Sequence, residues 1–128
     1  EEIPCVMAAG DLHIITIRRG LGGVVVPSKL YSILAAGRPI LAVAPEDTDV
    51  ARIVRAADCG VVADPDVPSE VADAIRMLKS DPSRLAAMGE RAHKAAENYA
   101  RVNELQKFVA VLEGIHPPEC RSNPNVEK

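Results

Sequence analysis

Along this chain, short apolar runs alternate with longer stretches in which apolar residues return every three or four positions. Leu12 to Ile17 (LHIITI) is rich in β-branched residues and predicts a strand, preceded by a short helical turn around Cys5 to Ala9. Arg18, Arg19 and the glycines Gly20, Gly22 and Gly23 then break the strand into a loop. Between Pro27 and Ala36, Leu30, Ile33 and Leu34 fall at helical spacing, and Gly37 stands where a helix end favours a left-handed residue. Pro39 to Ala44 is nearly unbroken in its apolarity, as expected of a strand covered on both faces. Thr48 or Asp47 can cap the next helix, whose Val50, Ile53, Val54 and Ala57 form a buried stripe ended by Cys59-Gly60. Gly60 to Ala63 reads as a third short strand.

Two further helices follow. Pro68 opens one with a stripe of Val71, Ala74, Ile75 and Leu78. Asp81 caps the other, with Pro82 in its first turn, and Leu85, Met88, Ala92 and Ala96 run on to about Tyr99. A last amphipathic helix is expected over Glu104 to Glu113. The Pro-bearing polar tail, 114–128, is expected to be loosely ordered. Strands alternating with helices predict an α/β fold: a Rossmann-like parallel sheet with flanking helices over residues 1–113. Only three strands are visible and the chain begins abruptly, so the first strands of the domain are expected to lie outside it. A sheet cut in this way exposes an edge, and dimerisation or strand exchange of the fragment is expected.

Composition narrows the function classes without naming one. At 128 residues and 48% hydrophobic, the chain is long enough for one buried core. Its net charge of -3 argues against a nucleic-acid module, which carries a basic excess. No apolar run approaches the ~20 residues of a membrane span, and Glu1-Glu2 is the wrong charge for the start of a signal peptide. Cys5, Cys59 and Cys120 are odd in number and widely scattered, which suits free thiols in a reducing, cytoplasmic compartment rather than a metal site or disulfides.

The chemistry concentrates at the first strand-to-helix crossing, Arg18-Arg19-Gly20-Leu21-Gly22-Gly23-Val24-Val25-Val26-Pro27-Ser28-Lys29. In open parallel sheets, ligands sit beyond the carboxyl ends of the strands. Glycines admit a ligand close to the backbone, Pro27 pre-sets the first helical turn, and the N–H groups of Ser28 to Leu30 are placed to face an anion. Arg18, Arg19 and Lys29 add positive charge, and a diphosphate matches the set. The plain alternative is an ordinary Gly-rich turn beside surface cations.

The longer string Val26-Pro27-Ser28-Lys29-Leu30-Tyr31-Ser32-Ile33-Leu34-Ala35-Ala36-Gly37-Arg38-Pro39-Ile40-Leu41-Ala42, with Ala8-Ala9-Gly10-Asp11-Leu12 upstream, resembles the C-terminal domain of group 1 glycosyltransferases of the GT-B class. The likeness is nearest to bacterial enzymes of capsule and exopolysaccharide assembly. It runs on through Cys59-Gly60-Val61-Val62 and the Pro68 helix to Met88-Gly89 and the Tyr99 region. The resemblance implies a domain that holds a nucleotide-sugar donor, facing an acceptor domain that this chain lacks. It places Gly22, Gly23, Val24, Val25, Val26 and Pro27 beside the donor's sugar and diphosphate, and Ser28 and Lys29 beneath the phosphates, with Arg18 or Arg19 alongside. Many members carry two glutamates with seven residues between them. Alignment on Pro27 and Gly37 puts those positions at Val24 and Ser32, and a Ser32 hydroxyl is the weaker hydrogen-bonding substitute for the second.

The implied activity is transfer of a sugar from a nucleoside diphosphate to a lipid-linked or oligosaccharide acceptor, in the cytoplasm or peripherally at the inner face of the plasma membrane. No cofactor and no metal is expected, and no catalytic residue is assigned. The fragment alone is expected to be inactive. The alternatives are a nucleotide-sugar epimerase of the same architecture and a non-catalytic α/β interaction module. Other polar residues read more simply. His13 lies within a strand and suits a hydrogen-bonded structural role, His93 and His116 stand away from the crossing, Asp64 and Asp66 suit turn chemistry, and Glu46, Asp47 and Asp49 suit helix capping.

Overall fold

The computed structural model describes residues 3–21, 28–99 and 109. The turn 22–27, most of the helix expected at Glu104 to Glu113, and the tail lie outside the described residues; Val109 is helical and exposed. The chain divides into two compact units, Glu1–Asn98 and Tyr99–Lys128, and the first holds the whole described sheet.

Helix α1 (Ile3–Ala9) leads into strand β1 (His13–Thr16). Helix α2 (Lys29–Ala35), strand β2 (Ile40–Val43), helix α3 (Asp49–Ala56) and strand β3 (Gly60–Ala63) come next. After helices α4 (Pro68–Ser80) and α5 (Pro82–Ala96), a 3-10 turn (Glu97–Tyr99) marks the junction with the second unit. The strands form one parallel sheet in the order β1-β2-β3. Ile14, Leu41 and Val61 stand in register, as do Thr16, Val43 and Ala63. This is the α/β half-domain that the alternating pattern predicts.

The central strand is apolar because it has no solvent side: Ile40, Leu41 and Ala42 are fully buried. On one face Leu41, Val43, Val61 and Ala63 pack with Val71 and Ala74 of α4. The other face carries Ile15, Ile40 and Ala42, also buried. α2 turns Leu30, Ile33 and Leu34 inward and packs on α1 and α5, while α3 buries Val50, Ala51 and Val54 against β2 and β3. Burial of each such Val, Leu or Ile contributes roughly 1.5–3 kcal/mol. The cover stops short of β1: Ile14 is 52% exposed and Thr16 is exposed, so β1 is an open edge of the described sheet.

The caps follow the sequence. Thr48, in extended backbone, accepts from the Ala51 N–H at 3.3 Å and donates its hydroxyl to the Pro45 carbonyl at 2.7 Å. Thr48 therefore caps α3, and Asp47 does not. Asp81 accepts from the Arg84 N–H at 2.9 Å to start α5, and Pro68 and Pro82 open their helices. The Ser83 hydroxyl and the Arg84 N–H hold the Asp81 carboxyl below the usual range. Gly37 takes φ +64° after α2, and the Gly37 and Arg38 N–H groups bond back to Leu34 and Ile33.

Three details depart from the pattern. Gly60 does not end α3: Asp58 makes the left-handed turn at φ +47°, and Gly60 pairs within β3. Ile75, assigned to a buried stripe, is 38% exposed, and Ile53 is half-buried. Gly89, near the middle of α5, is buried, where small size lets α5 approach the α2–β2 turn.

Candidate functional site

The carboxyl ends of the three strands open on one edge of the sheet, because all three run in the same direction. β1 delivers Ile17, Arg18 and Arg19 there, with Gly20 at φ +82°. β2 delivers Ala44 to Thr48, and β3 delivers Asp64 to Asp66 just ahead of α4. A crevice of about 390 Å3 lies at this edge, lined by Arg19, Ala44, Pro45, Glu46, Asp47, Asp64 and Glu70.

Arg19 is committed within it. Its Nη2 donates to both Asp64 oxygens at 2.8 and 2.6 Å, and its Nε donates to Asp66. Asp64 also accepts from the Asp66 N–H at 2.9 Å, and the Asp64 N–H donates to Glu70 at 2.9 Å. The Asp66 N–H, then Arg19, lower the Asp64 pKa, while the hydrogen bonds that Arg19 donates to Asp66 and Asp64 raise its own. The clasp joins the carboxyl ends of β1 and β3 across β2. Its members are half-exposed, so its value lies in fixing loop geometry more than in stability.

The carboxylates after β2 are mostly engaged as well. Glu46 accepts from Arg55 and Asp49 from Arg52, so neither serves as a cap. Arg18 and Lys29 differ from Arg19: both are exposed, and neither makes an ion pair among the described residues. Lys29 begins α2 and Ser28 precedes it in helical backbone without a side-chain cap; Ser32 is half-buried within the helix. Gly22, Gly23, Val24, Val25, Val26 and Pro27, assigned to the donor by resemblance, lie outside the described residues. The structure thus brings Arg18 and Arg19 to the expected edge, but the Arg19 guanidinium is occupied.

Sequence reading missed the pairing of Arg19 with Asp64 and Asp66. A signal existed, since all three follow strands at the same sheet edge. The order of the strands was needed to bring them together.

His13 and His93 are structural, and His116 lies outside the described residues. His13 donates from Nε2 to the Met7 carbonyl at 2.7 Å, and His93 from Nδ1 to the Ala35 carbonyl at 3.1 Å. Cys59 is buried, and loss of hydration pushes its thiol up to about 11, so it stays protonated at neutral pH. Among the described residues no group of three or more His, Cys, Asp or Glu could hold a metal ion, and no helix is long and apolar enough to cross a membrane.

Comparison with known proteins gives an informative likeness. The chain is similar to a protein of Pseudomonas aeruginosa described as "Probable glycosyltransferase WbjE", with 32% identity over 107 residues. The match covers 83% of this chain and 26% of that protein, so the chain spans about a quarter of its relative's length. No family model matches, and no solved structure matches.

Proposed function

We propose that this chain is the donor-binding part of a nucleotide-sugar-dependent glycosyltransferase, acting on a lipid-linked or oligosaccharide acceptor in surface polysaccharide assembly. The observation that carries the reading is the similarity to a protein named as a glycosyltransferase over 83% of the chain. The fold supports it by presenting Arg18 and Lys29, cations without an ion pair among the described residues, on either side of the glycine turn. Glycosyl transfer from a nucleoside diphosphate has a good leaving group already. The protein's task is to hold the diphosphate and offset the charge it develops, for which fixed cations suffice.

The crevice itself carries Glu46, Asp47, Asp64 and Glu70 against Arg19 alone, a balance that repels a dianion. The diphosphate in this reading is therefore held by Arg18 and Lys29 rather than within the crevice. That acid excess is also what favours the second reading, a non-catalytic interaction module. An epimerase would share the donor site but needs acid–base groups that this edge does not supply from His13 or His93, both held by carbonyls. Activity of the whole enzyme, in the cytoplasm or at the inner face of the plasma membrane, would need the acceptor domain as well.

Thermal unfolding with a panel of nucleoside diphosphates and their sugars tests the reading. A ligand at 100 times its Kd adds ~2.7 kcal/mol, so millimolar donor should raise Tm by several degrees. Arg18→Ala and Lys29→Ala should each weaken that binding roughly tenfold by removing a charge-assisted bond. No shift with any nucleotide would favour the interaction module, and unchanged affinity in both variants would place the ligand elsewhere.

The open β1 edge supports a second expectation. With Ile14 exposed on this edge strand, the chain alone should dimerise or exchange strands at high concentration. Light scattering should show a mass that rises with concentration, and a monomer at millimolar protein would refute it.

A further inference from the structure

A second cavity, of about 540 Å3, lies away from the carboxyl edge and takes no part in the donor reading. It sits where the chain enters the sheet: Asp11 and Leu12 precede β1, and Gly37, Arg38 and Pro39 precede β2. The second half of α4 and the first half of α5 close it with Ile75, Leu78, Lys79, Leu85 and Ala86. Its volume falls within the roughly 300–1,000 Å3 of small-molecule sites. The lining has the usual division for such a site, an apolar wall of Leu12, Pro39, Ile75, Leu78 and Leu85 with a few charged groups.

Those charged groups define the ligand. Arg38 and Lys79 stand against one carboxylate, Asp11, leaving the set net positive. Arg38 Nη2 donates to the Ala8 carbonyl, but its Nε is buried and has no hydrogen-bond partner among the described residues. An anionic oxygen in the cavity would meet Arg38 and Lys79, the two cations of its lining, in a charge-assisted contact. Ile75, 38% exposed beside the buried Ala74 and Leu78, would be covered by the same ligand's apolar part. We propose that this cavity binds a small free acid with a compact apolar body, its carboxylate meeting Arg38 and Lys79 and its hydrocarbon lying on Ile75, Leu78 and Leu85. A concave site of this size takes a free molecule rather than a bilayer surface.

Octanoate, octanol and octyltrimethylammonium, titrated into isotopically labelled protein and followed by amide chemical shifts, test the assignment. Octanoate should shift the amides of residues 37–38, 75–79 and 85–89 and bind roughly tenfold more tightly than octanol, with the cation weakest. Ala86→Trp fills the mouth from an exposed helical position and should abolish these shifts without lowering Tm. Lys79→Met, also at an exposed position, should erase most of the preference for acid over alcohol. Equal affinity for acid and alcohol, shifts mapping elsewhere, or binding that survives Ala86→Trp in folded protein would overturn the proposal. Nucleotide titrations of the same Ala86→Trp protein should give the wild-type response, which separates this site from the donor site.

Discussion

Gly60→Ala is expected to abolish cooperative folding of this chain. A Cβ built at Gly60 would lie 1.9 Å from the Ile40 carbonyl oxygen and 2.8 Å from its carbon. Both are backbone atoms of the central strand, so no rotamer change relieves the overlap. Ile40 is fully buried, and its N–H donates to the Cys59 carbonyl at 3.1 Å, which ties β2 to the residue just before Gly60. Separating the strands would break that bond and the register that sets Leu41 beside Val61. Losses of more than ~4 kcal/mol are exceptional and come from overpacking or broken networks of this kind, and they rival a domain's whole stability of ~5–15 kcal/mol. Circular dichroism during urea unfolding should show no native baseline. Gly20→Ala is the control, because Gly20 has φ +82° and nothing within 4 Å of an added Cβ. Its cost should be only ~1–2 kcal/mol of backbone strain. A folded Gly60→Ala protein would show that β2 and β3 can part without loss of the sheet.

Gly89→Ala sets two effects of opposite sign against each other. Within α5, replacing glycine with alanine should stabilise the helix by ~1 kcal/mol. Against that, the new methyl would stand 2.5 Å from the Gly37 carbonyl oxygen. That carbonyl cannot easily retreat, since the Gly37 and Arg38 N–H groups are bonded back to Leu34 and Ile33 in the turn that ends α2. Overpacking of this kind costs ~1–3 kcal/mol, so contact outweighs propensity and the variant should be less stable. For a unit of this size each kcal/mol moves Tm by about 4–8 °C, so a net cost of ~1 kcal/mol should appear in calorimetry as a fall of several degrees. Gly37 and Gly89 both line the apolar cavity, so the same variant should also perturb octanoate binding. A raised Tm would mean that α5 can slide away from α2.

Met88-Gly89 and Cys59-Gly60 stood out in the sequence chiefly as parts of a resemblance, and the structure supplies a physical reason for each glycine. Neither has the positive φ that a chain pattern suggests for glycine; both are small because another backbone passes close by. At Gly37 the sequence sufficed, since a helix end is a local event and the left-handed turn follows from it. At Asp58 it misled, because the residue two places ahead of a glycine took the left-handed turn instead. The candidate site divides along the same line. The edge that gathers Arg18 and Arg19 was legible, since a parallel sheet sends every strand's carboxyl end the same way. The state of Arg19 was not, because its partners lie 45 and 47 residues away.

Residue order was enough to specify the described strands and helices, the caps at Asp81 and Gly37, and the parallel sense of the sheet. These depend on periodicity and on contacts a few residues apart, which local side-chain chemistry dictates. Packing in three dimensions settled which cation is neutralised, which glycines are crowded, where an arginine nitrogen is buried without an acceptor, and which strand stands open. Each of those depends on the distance between segments far apart in the chain, and that distance emerges from how whole elements stack rather than from any one position.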